Sequence, residues 1–396
     1  MKNINLNFAA NETKDGAWNS LKILISGPQE NSFQILHSKL ATIFKTKKEN
    51  VFTFLSARAA LKLFLESLKL DENSEILVLG FTCEAVVLPI LENKLKPIYV
   101  DLEKESLSFD YHQLAKKISS KTKAIILQHS FGMTPKNREK IIQLANKKKI
   151  LVIEDLAHGF HPTAFQEETN TLKLLSFGRS KLLSVVHGGA MILPSTYENQ
   201  NFKNLYDNLD YPEKKFINKA LFYKILSPIL KIFSGTIFLK AIHFLLNKMK
   251  IFTKEISENE KNGNYDSWLE YKFPKEFASL LIKQVDHYQK TIKKRTEITE
   301  IYMNFFGDKF SSKAILRYPL LVNDADMIIE DYQKNNIFLG NWYRQVVAPE
   351  GLDLAKVHYQ KGSCPQAEAV CKQIVNLPTN ISKEEAQWIT DLYDKQ

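Results

Sequence analysis

Cysteine is scarce in this chain. Cys83, Cys364 and Cys371 are the three among 396 residues, and their spacing offers neither a disulfide framework nor a paired zinc motif. That usage fits a reducing, cytoplasmic setting. The opening residues, MKNINLNFAANETKDG, lack the apolar core of a secretory signal. No uninterrupted apolar run reaches the roughly 20 residues that a spanning helix needs. Internal repeats and low-complexity tracts are missing as well. Acidic residues are absent from residues 214–254, which hold nine lysines and no arginine. The net charge is +10, so this segment leaves only +1 for the rest. A surface that tracks phosphates would spread its cations along a groove, and a nucleic-acid partner is therefore not expected.

What is present is an ordinary globular composition, 44% hydrophobic and 25% charged. Its length allows a sizeable core and two domains. Apolar runs at 51–55, 74–80, 97–101, 123–129 and 150–155 read as strands, and 172–177 and 188–193 continue the series. Amphipathic stretches separate them. In ARAALKLFLESLKL, behind a capping Ser56, Leu61, Phe64, Leu65 and Leu68 recur at helical spacing. Strands that are nearly all apolar and alternate with helices imply a mostly parallel sheet covered on both faces. Ligands of such α/β folds bind beyond the carboxyl ends of the strands. Those ends carry Ser56, Asp101, His129, Asp155 and Ser176, with Lys181 just beyond.

Residues 273–306 read as one long helix, and 310–396 mix strands and helices around a core of their own. The expected organisation is a large three-layer α/β domain, 1–270, followed by a connecting helix and a smaller α/β domain, 271–396. Within the first, 213–252 is an apolar and basic insertion interrupted by Pro228 and Gly235, read as a hairpin of two amphipathic helices. Its apolar face covers the protein's own surface or a dimer interface, or it rests peripherally on anionic lipid at the inner face of a membrane.

The polar residues at the strand ends match the needs of pyridoxal phosphate. An amine must form an imine with the aldehyde. An ionised acid must keep the pyridine nitrogen protonated. A helix start must offer N–H groups to the phosphate. Lys181, Asp155 and Ser56–Ala57–Arg58 are the respective candidates, with Ser176 five residues before the lysine.

Four motifs carry a family resemblance: TKAIILQHSFG (122–132), EDLAH (154–158), SFGRSKLLSVVHGG (176–189) and GSCPQAEAVCKQIVNLPT (362–379). Together the chain resembles the DegT/DnrJ/EryC1/StrS family, sugar aminotransferases of pyridoxal-phosphate fold type I. The resemblance implies that Lys181 is the cofactor-bound lysine and proton shuttle, and that Asp155 pairs with the pyridine nitrogen. It places His158 near the ring hydroxyl or face, and Ser176 with the backbone of Ala57 and Arg58 at the phosphate. It implies a homodimer that aminates a keto-sugar, nucleotide-linked, in surface-glycan synthesis, with glutamate as donor. Two departures stand out. Arg58 replaces a usual Thr and either adds charge to the phosphate grip or points to solvent. Cys83 replaces a usual stacking aromatic, so that either its thiol covers the ring or Phe81 does. Two rival readings share the fold: another pyridoxal-phosphate reaction such as sugar dehydration, or a non-catalytic sensor or scaffold. The NWYRQ aromatics (341–345) are expected in the core, with a substrate-facing role as the alternative, and His161 and His187 at the rim of the site or on the surface.

Overall fold

The computed structural model describes residues 3–160, 170–232, 255–310 and 313–394. His161 and the second helix expected in the insertion lie outside the described residues.

Seven strands form the central sheet: β2 (Val51–Phe54), β3 (Glu75–Leu79), β5 (Lys96–Val100), β6 (Thr122–Gln128), β7 (Leu151–Asp155), β8 (Leu172–Ser176) and β9 (Gly189–Ile192). Their order is β2-β9-β8-β7-β6-β3-β5, and β9 alone runs against its neighbours. The mostly parallel sheet expected from the apolar runs is therefore present. Side chains alternate between two cores, as the two-residue period of a strand requires. Phe52, Phe54, Leu172, Leu174 and Met191 enter the core on one face; Val51, Leu175, Ala190 and Ile192 enter the other.

Among the described residues up to 232, eight α-helices accompany the sheet. They are α1 (Lys14–Ser26), α2 (Ser32–Ile43), α3 (Ala57–Ser67), α4 (Glu84–Glu92), α5 (Tyr111–Lys117), α6 (Arg138–Lys147), α7 (Gln200–Asp207) and α8 (Lys214–Ile232). The side chain of Ser56 caps α3 by accepting from the Ala59 N–H at 3.1 Å, and Leu61, Phe64 and Leu65 are buried behind it. Helix α1 was not expected from the sequence. It starts at Thr13, whose hydroxyl accepts from the Gly16 N–H, and ends at Gly27 with φ of 80°. Pro228 does not interrupt α8, which runs through it.

The single helix expected over 273–306 is two, Lys275–Asp286 and Tyr288–Phe306, bent at His287. The first helix, with Tyr288 and Ile292 at the start of the second, serves one core, and the rest of the second serves another. Phe277, Leu280 and Leu281 pack against α2 beneath the large sheet, whereas Ile298 and Tyr302 pack with the closing helix Lys383–Tyr393. One straight rod does not satisfy both cores. That last core also receives β10 (Arg317–Leu321), antiparallel to β13 (Ile374–Pro378). The amino-terminal strand β1 (Ile4–Asn5) pairs in parallel with β11 (Ile337–Phe338). Two further short strands, β4 (Thr82–Cys83) and β12 (Val347–Ala348), join the carboxy-terminal part to the large sheet's loop edge.

Candidate functional site

A cavity of about 460 Å³ opens at the carboxyl ends of β2, β7 and β8. The register across the sheet aligns Phe54 with Gly189 and Gly189 with Ser176, while Asp155 lies beside Leu174. Thus the start of α3, Ser176 and Asp155 converge on one edge. Lys181 arrives from the loop between β8 and β9, and all of these line the cavity. The sequence-expected residues Ala57, Arg58, Cys83, Asp155, His158, Ser176 and Lys181 are all on its walls.

The loop that carries Lys181 is tied at several points. Phe177 donates its N–H to the Gly188 carbonyl, and Val185 donates to that of Phe177. Gln284 holds Ser184 from outside, accepting from its N–H at 2.9 Å and donating to its carbonyl at 2.8 Å. The amide of Asn11 donates to the carbonyl of Lys181 at 2.7 Å. A mobile surface lysine needs none of this.

Asp155 is buried and accepts from the Ala157 N–H at 2.9 Å. Burial pushes its carboxyl above the usual range, while the Ala157 N–H, Lys181 and His129 oppose the rise. A cationic ring nitrogen beside it would favour the carboxylate further. Its neighbour Glu154 is a structural hub. Burial alone would raise that carboxyl, but His129, Lys173 and Arg138 hold it well below the ordinary range. His129 is thus bound to Glu154 at 2.9 Å.

His158 is neutral: burial, then Lys181 and Arg317, push its pKa well below the ordinary value. Its Nδ1 accepts from the Phe131 N–H at 3.0 Å, so the remaining ring proton sits on Nε2. That nitrogen faces the Tyr343 hydroxyl at 3.1 Å.

The phosphate end follows from helix geometry. The first N–H groups of α3, on Ala57 and Arg58, have no intrahelical acceptor, and the Ser56 hydroxyl serves Ala59 instead. A Cβ on Gly189 would come within 2.3 Å of the Ala57 nitrogen and 2.5 Å of its Cα. Only glycine lets the strand and the helix start approach this closely.

Both sequence departures now have a place. The Arg58 side chain neither points to solvent nor lies free in the cavity. It pairs with the fully buried Glu260 and donates to the Glu255 carbonyl at 2.9 Å. Cys83 lies on the cavity wall at the start of α4, its thiol pushed up to about 12 by burial and then by Glu84. It is an uncharged, soft contact. Phe81 does not replace it: its ring is fully buried in the core beside Tyr343 and Phe131.

Three further wall residues were open between two readings in the sequence. His187 is buried rather than superficial, its pKa lowered by burial and then by Arg179 and Arg58. Trp342 and Tyr343 are not merely core aromatics; both line the cavity. Their only sequence signal was an aromatic pair far from every recognised motif. Among the described residues no cluster of metal-ligating side chains occurs, and no helix is long and apolar enough to cross a membrane.

Known proteins resemble this chain in sequence and in fold. The sequence profile of the DegT/DnrJ/EryC1/StrS aminotransferase family matches residues 11–210. GDP-perosamine synthase of Escherichia coli O157:H7 is 30% identical over 201 residues, which are 50% of this chain and 50% of that protein. A dTDP-4-amino-4,6-dideoxy-D-glucose transaminase of Shigella dysenteriae is 26% identical over 207 residues, 51% of this chain and 53% of its own length. The chain thus spans about half the length of these curated relatives. Helicobacter pylori PseC, an aminotransferase involved in the biosynthesis of pseudoaminic acid, shares the fold over 98% of each chain, with a TM-score of 0.71 at 19% identity.

Proposed function

Because the chain belongs to the DegT/DnrJ/EryC1/StrS aminotransferase family, we propose that it is a pyridoxal-phosphate-dependent aminotransferase. Its substrate in this reading is a nucleotide-linked keto-sugar, its donor glutamate, and its setting cytoplasmic surface-glycan synthesis. The observation that carries the proposal is the convergence of Lys181, Asp155 and the start of α3 on one cavity.

Aminotransferases of this family depend on pyridoxal phosphate, and the residues present fit it. The glycine-lined approach at Gly189 leaves the first N–H groups of α3 next to Ser176, a cradle for a phosphate. When bound, the cofactor would supply a carbonyl to carry the amino group between donor and ketone, and a ring to act as electron sink. Lys181 Nζ holds the cofactor covalently between turnovers and then moves the proton at the reacting carbon. Asp155 keeps a proton on the ring nitrogen. His158, neutral and fixed by Phe131 and Tyr343, orients the ring without adding charge.

Spectroscopy and product analysis test this reading. The purified protein should show the visible band of a lysine-linked cofactor, absent in Lys181→Ala, and glutamate alone should convert it. A keto-sugar panel should then yield an amino-sugar. A protein with no such band, or with one unchanged in Lys181→Ala, would sink the enzyme reading. A band that glutamate leaves untouched points to another reaction on the scaffold.

The proposal extends to a homodimer and to peripheral contact with anionic lipid through 213–252. Support for the latter lies in α8, where Phe222 and Ile229 are 41% and 54% exposed, one above the other on the helix. Helix α1 packs on α8 and exposes Trp18 and Ile25 at the same spacing. Lys214 and Lys215, exposed at the start of α8, supply charge for anionic headgroups. Flotation with phosphatidylserine vesicles checks this; equal recovery with the vesicles for wild type and a Phe222→Ser/Ile229→Ser variant argues against it.

A further inference from the structure

Trp342 is held at the cavity more firmly than a packing residue requires. Asn376, fully buried, accepts from its backbone N–H at 2.8 Å and donates to its carbonyl at 2.9 Å. The guanidinium of Arg317 lies 3.6 Å from the centre of its ring. Arg317 is itself buried, and burial lowers its pKa to about 10, which leaves it charged at neutral pH. Room for that guanidinium comes from Gly340, where a Cβ would stand 2.5 Å from Arg317 Nη1.

The ring so fixed faces the chemistry. Lys181 Nζ lies 5.1 Å from the centre of the Trp342 ring. The imidazole of His158 is stacked on it at 5.5 Å, with 22° between the planes. A buried arginine and a buried asparagine each carry a desolvation cost. An indole that merely filled space would need neither. Cys83, the wall residue where an aromatic was expected, offers only a thiol, and Phe81 is withdrawn into the core.

We propose that Trp342 is the aromatic contact for the bound pyridoxal phosphate beside the Lys181 amine, with Arg317 and Asn376 as its positioning residues. This rests on the functional reading above. It assigns the missing aromatic surface to the carboxy-terminal half of the chain, reached through β12 and its pairing with β4. The indole limits the space around Lys181 Nζ and excludes water from it, while its π face meets the cationic ring system.

The experiment compares wild type, Trp342→Phe, Trp342→Ala and Arg317→Met. Three readouts are taken: the dissociation constant for pyridoxal phosphate, the induced circular dichroism of the bound cofactor, and the urea midpoint of the cofactor-free protein. Trp342→Ala should weaken binding about ten-fold and change the dichroic band, with Trp342→Phe within about three-fold of wild type. Arg317→Met should change the band with the indole still present. The inference is overturned if both Trp342 variants bind and absorb as wild type does, or if their losses merely follow the urea midpoints. Wild-type protein that takes up no pyridoxal phosphate overturns the functional reading and this inference with it; normal wild-type uptake beside unchanged variants overturns this inference alone.

Discussion

Asn11 holds Lys181 by its backbone: the side-chain amide donates to the lysine carbonyl at 2.7 Å, and its oxygen accepts from Arg295 Nη2, also at 2.7 Å. Arg295 is buried and donates as well to the carbonyls of Ile315 and Leu316 and to the Thr379 hydroxyl. Lys181 is thereby referenced to the helix Tyr288–Phe306 through one asparagine. Asn11→Asp separates the two halves of this link. The aspartate still accepts from Arg295 but sets an oxygen against the lysine carbonyl. We expect its kcat to fall about ten-fold or more, a loss of roughly 1–3 kcal/mol, with KM for the sugar nearly unchanged. Steady-state kinetics with a fixed donor checks this; a KM effect alone contradicts a role in holding Lys181.

Gly189 tests the phosphate end. Alanine there meets backbone atoms of Ala57, which no rotamer change can relieve, so the start of α3 must shift. We expect Gly189→Ala to lower affinity for pyridoxal phosphate at least about ten-fold and to cost about 1–3 kcal/mol of stability. Affinity for pyridoxal, which lacks the phosphate, should fall much less. Equal losses for both ligands would place the phosphate elsewhere.

The Arg58–Glu260 pair ties α3 to the short helix Glu258–Lys261. Glu260 also closes a capping box, accepting from the Ser257 N–H at 2.6 Å. Glu260→Ala leaves the arginine without its carboxylate in a largely buried place, a change that costs about 3–5 kcal/mol in comparable pairs. Glu260→Gln can keep only one of the two hydrogen bonds that the carboxylate accepts, and should cost less than the alanine. Urea unfolding of the two variants measures the difference, and equal values would show that the remaining hydrogen bond contributes nothing.

Acid should destabilise the protein early. His37, at about 4, and His158 and His187, well below the ordinary value, are all depressed by burial. Their unfolded counterparts protonate near pH 6.5 while the folded protein excludes the proton. Unfolding therefore takes up protons below that pH. The stability contribution is complete above pH 6.5 and declines toward the folded values, by at most about 1.4 kcal/mol per histidine per pH unit. Urea midpoints of cofactor-free protein at pH 7, 6 and 5 follow this directly; midpoints level across that window would contradict it.

Strand ends were the most legible part of the chain. Ser56, Asp155, Ser176 and Lys181 could be placed because a buried parallel sheet brings polar residues to its carboxyl edge, and Ala57 through the family resemblance. Apolar runs do not say what the rest of the wall contains. Trp342 belongs to a segment with no periodic pattern, and it meets Lys181 only after the carboxy-terminal half folds back through β12. Arg58 was ambiguous for a similar reason, since its partner Glu260 lies some two hundred residues away. The bend at His287 escaped because one apolar stripe runs through both helices, although it faces two different cores in turn. Helix α1 was legible in principle, from a capping Thr13 and a terminal Gly27, but its exposed Trp18 and Ile25 blurred the amphipathic pattern.

The pairing of Ile4 with Ile337 bears on how the protein is made. Ile4 leaves the ribosome on the order of tens of seconds before Ile337 does, at ordinary rates of translation. During that interval the large sheet can assemble from neighbouring βα units, whereas β1 has no strand to pair with. Asn11 lies in the same early segment, and Arg295, which holds its side-chain oxygen, follows 284 residues later. A nascent chain therefore passes through a stage in which the sheet exists and Asn11 still lacks Arg295.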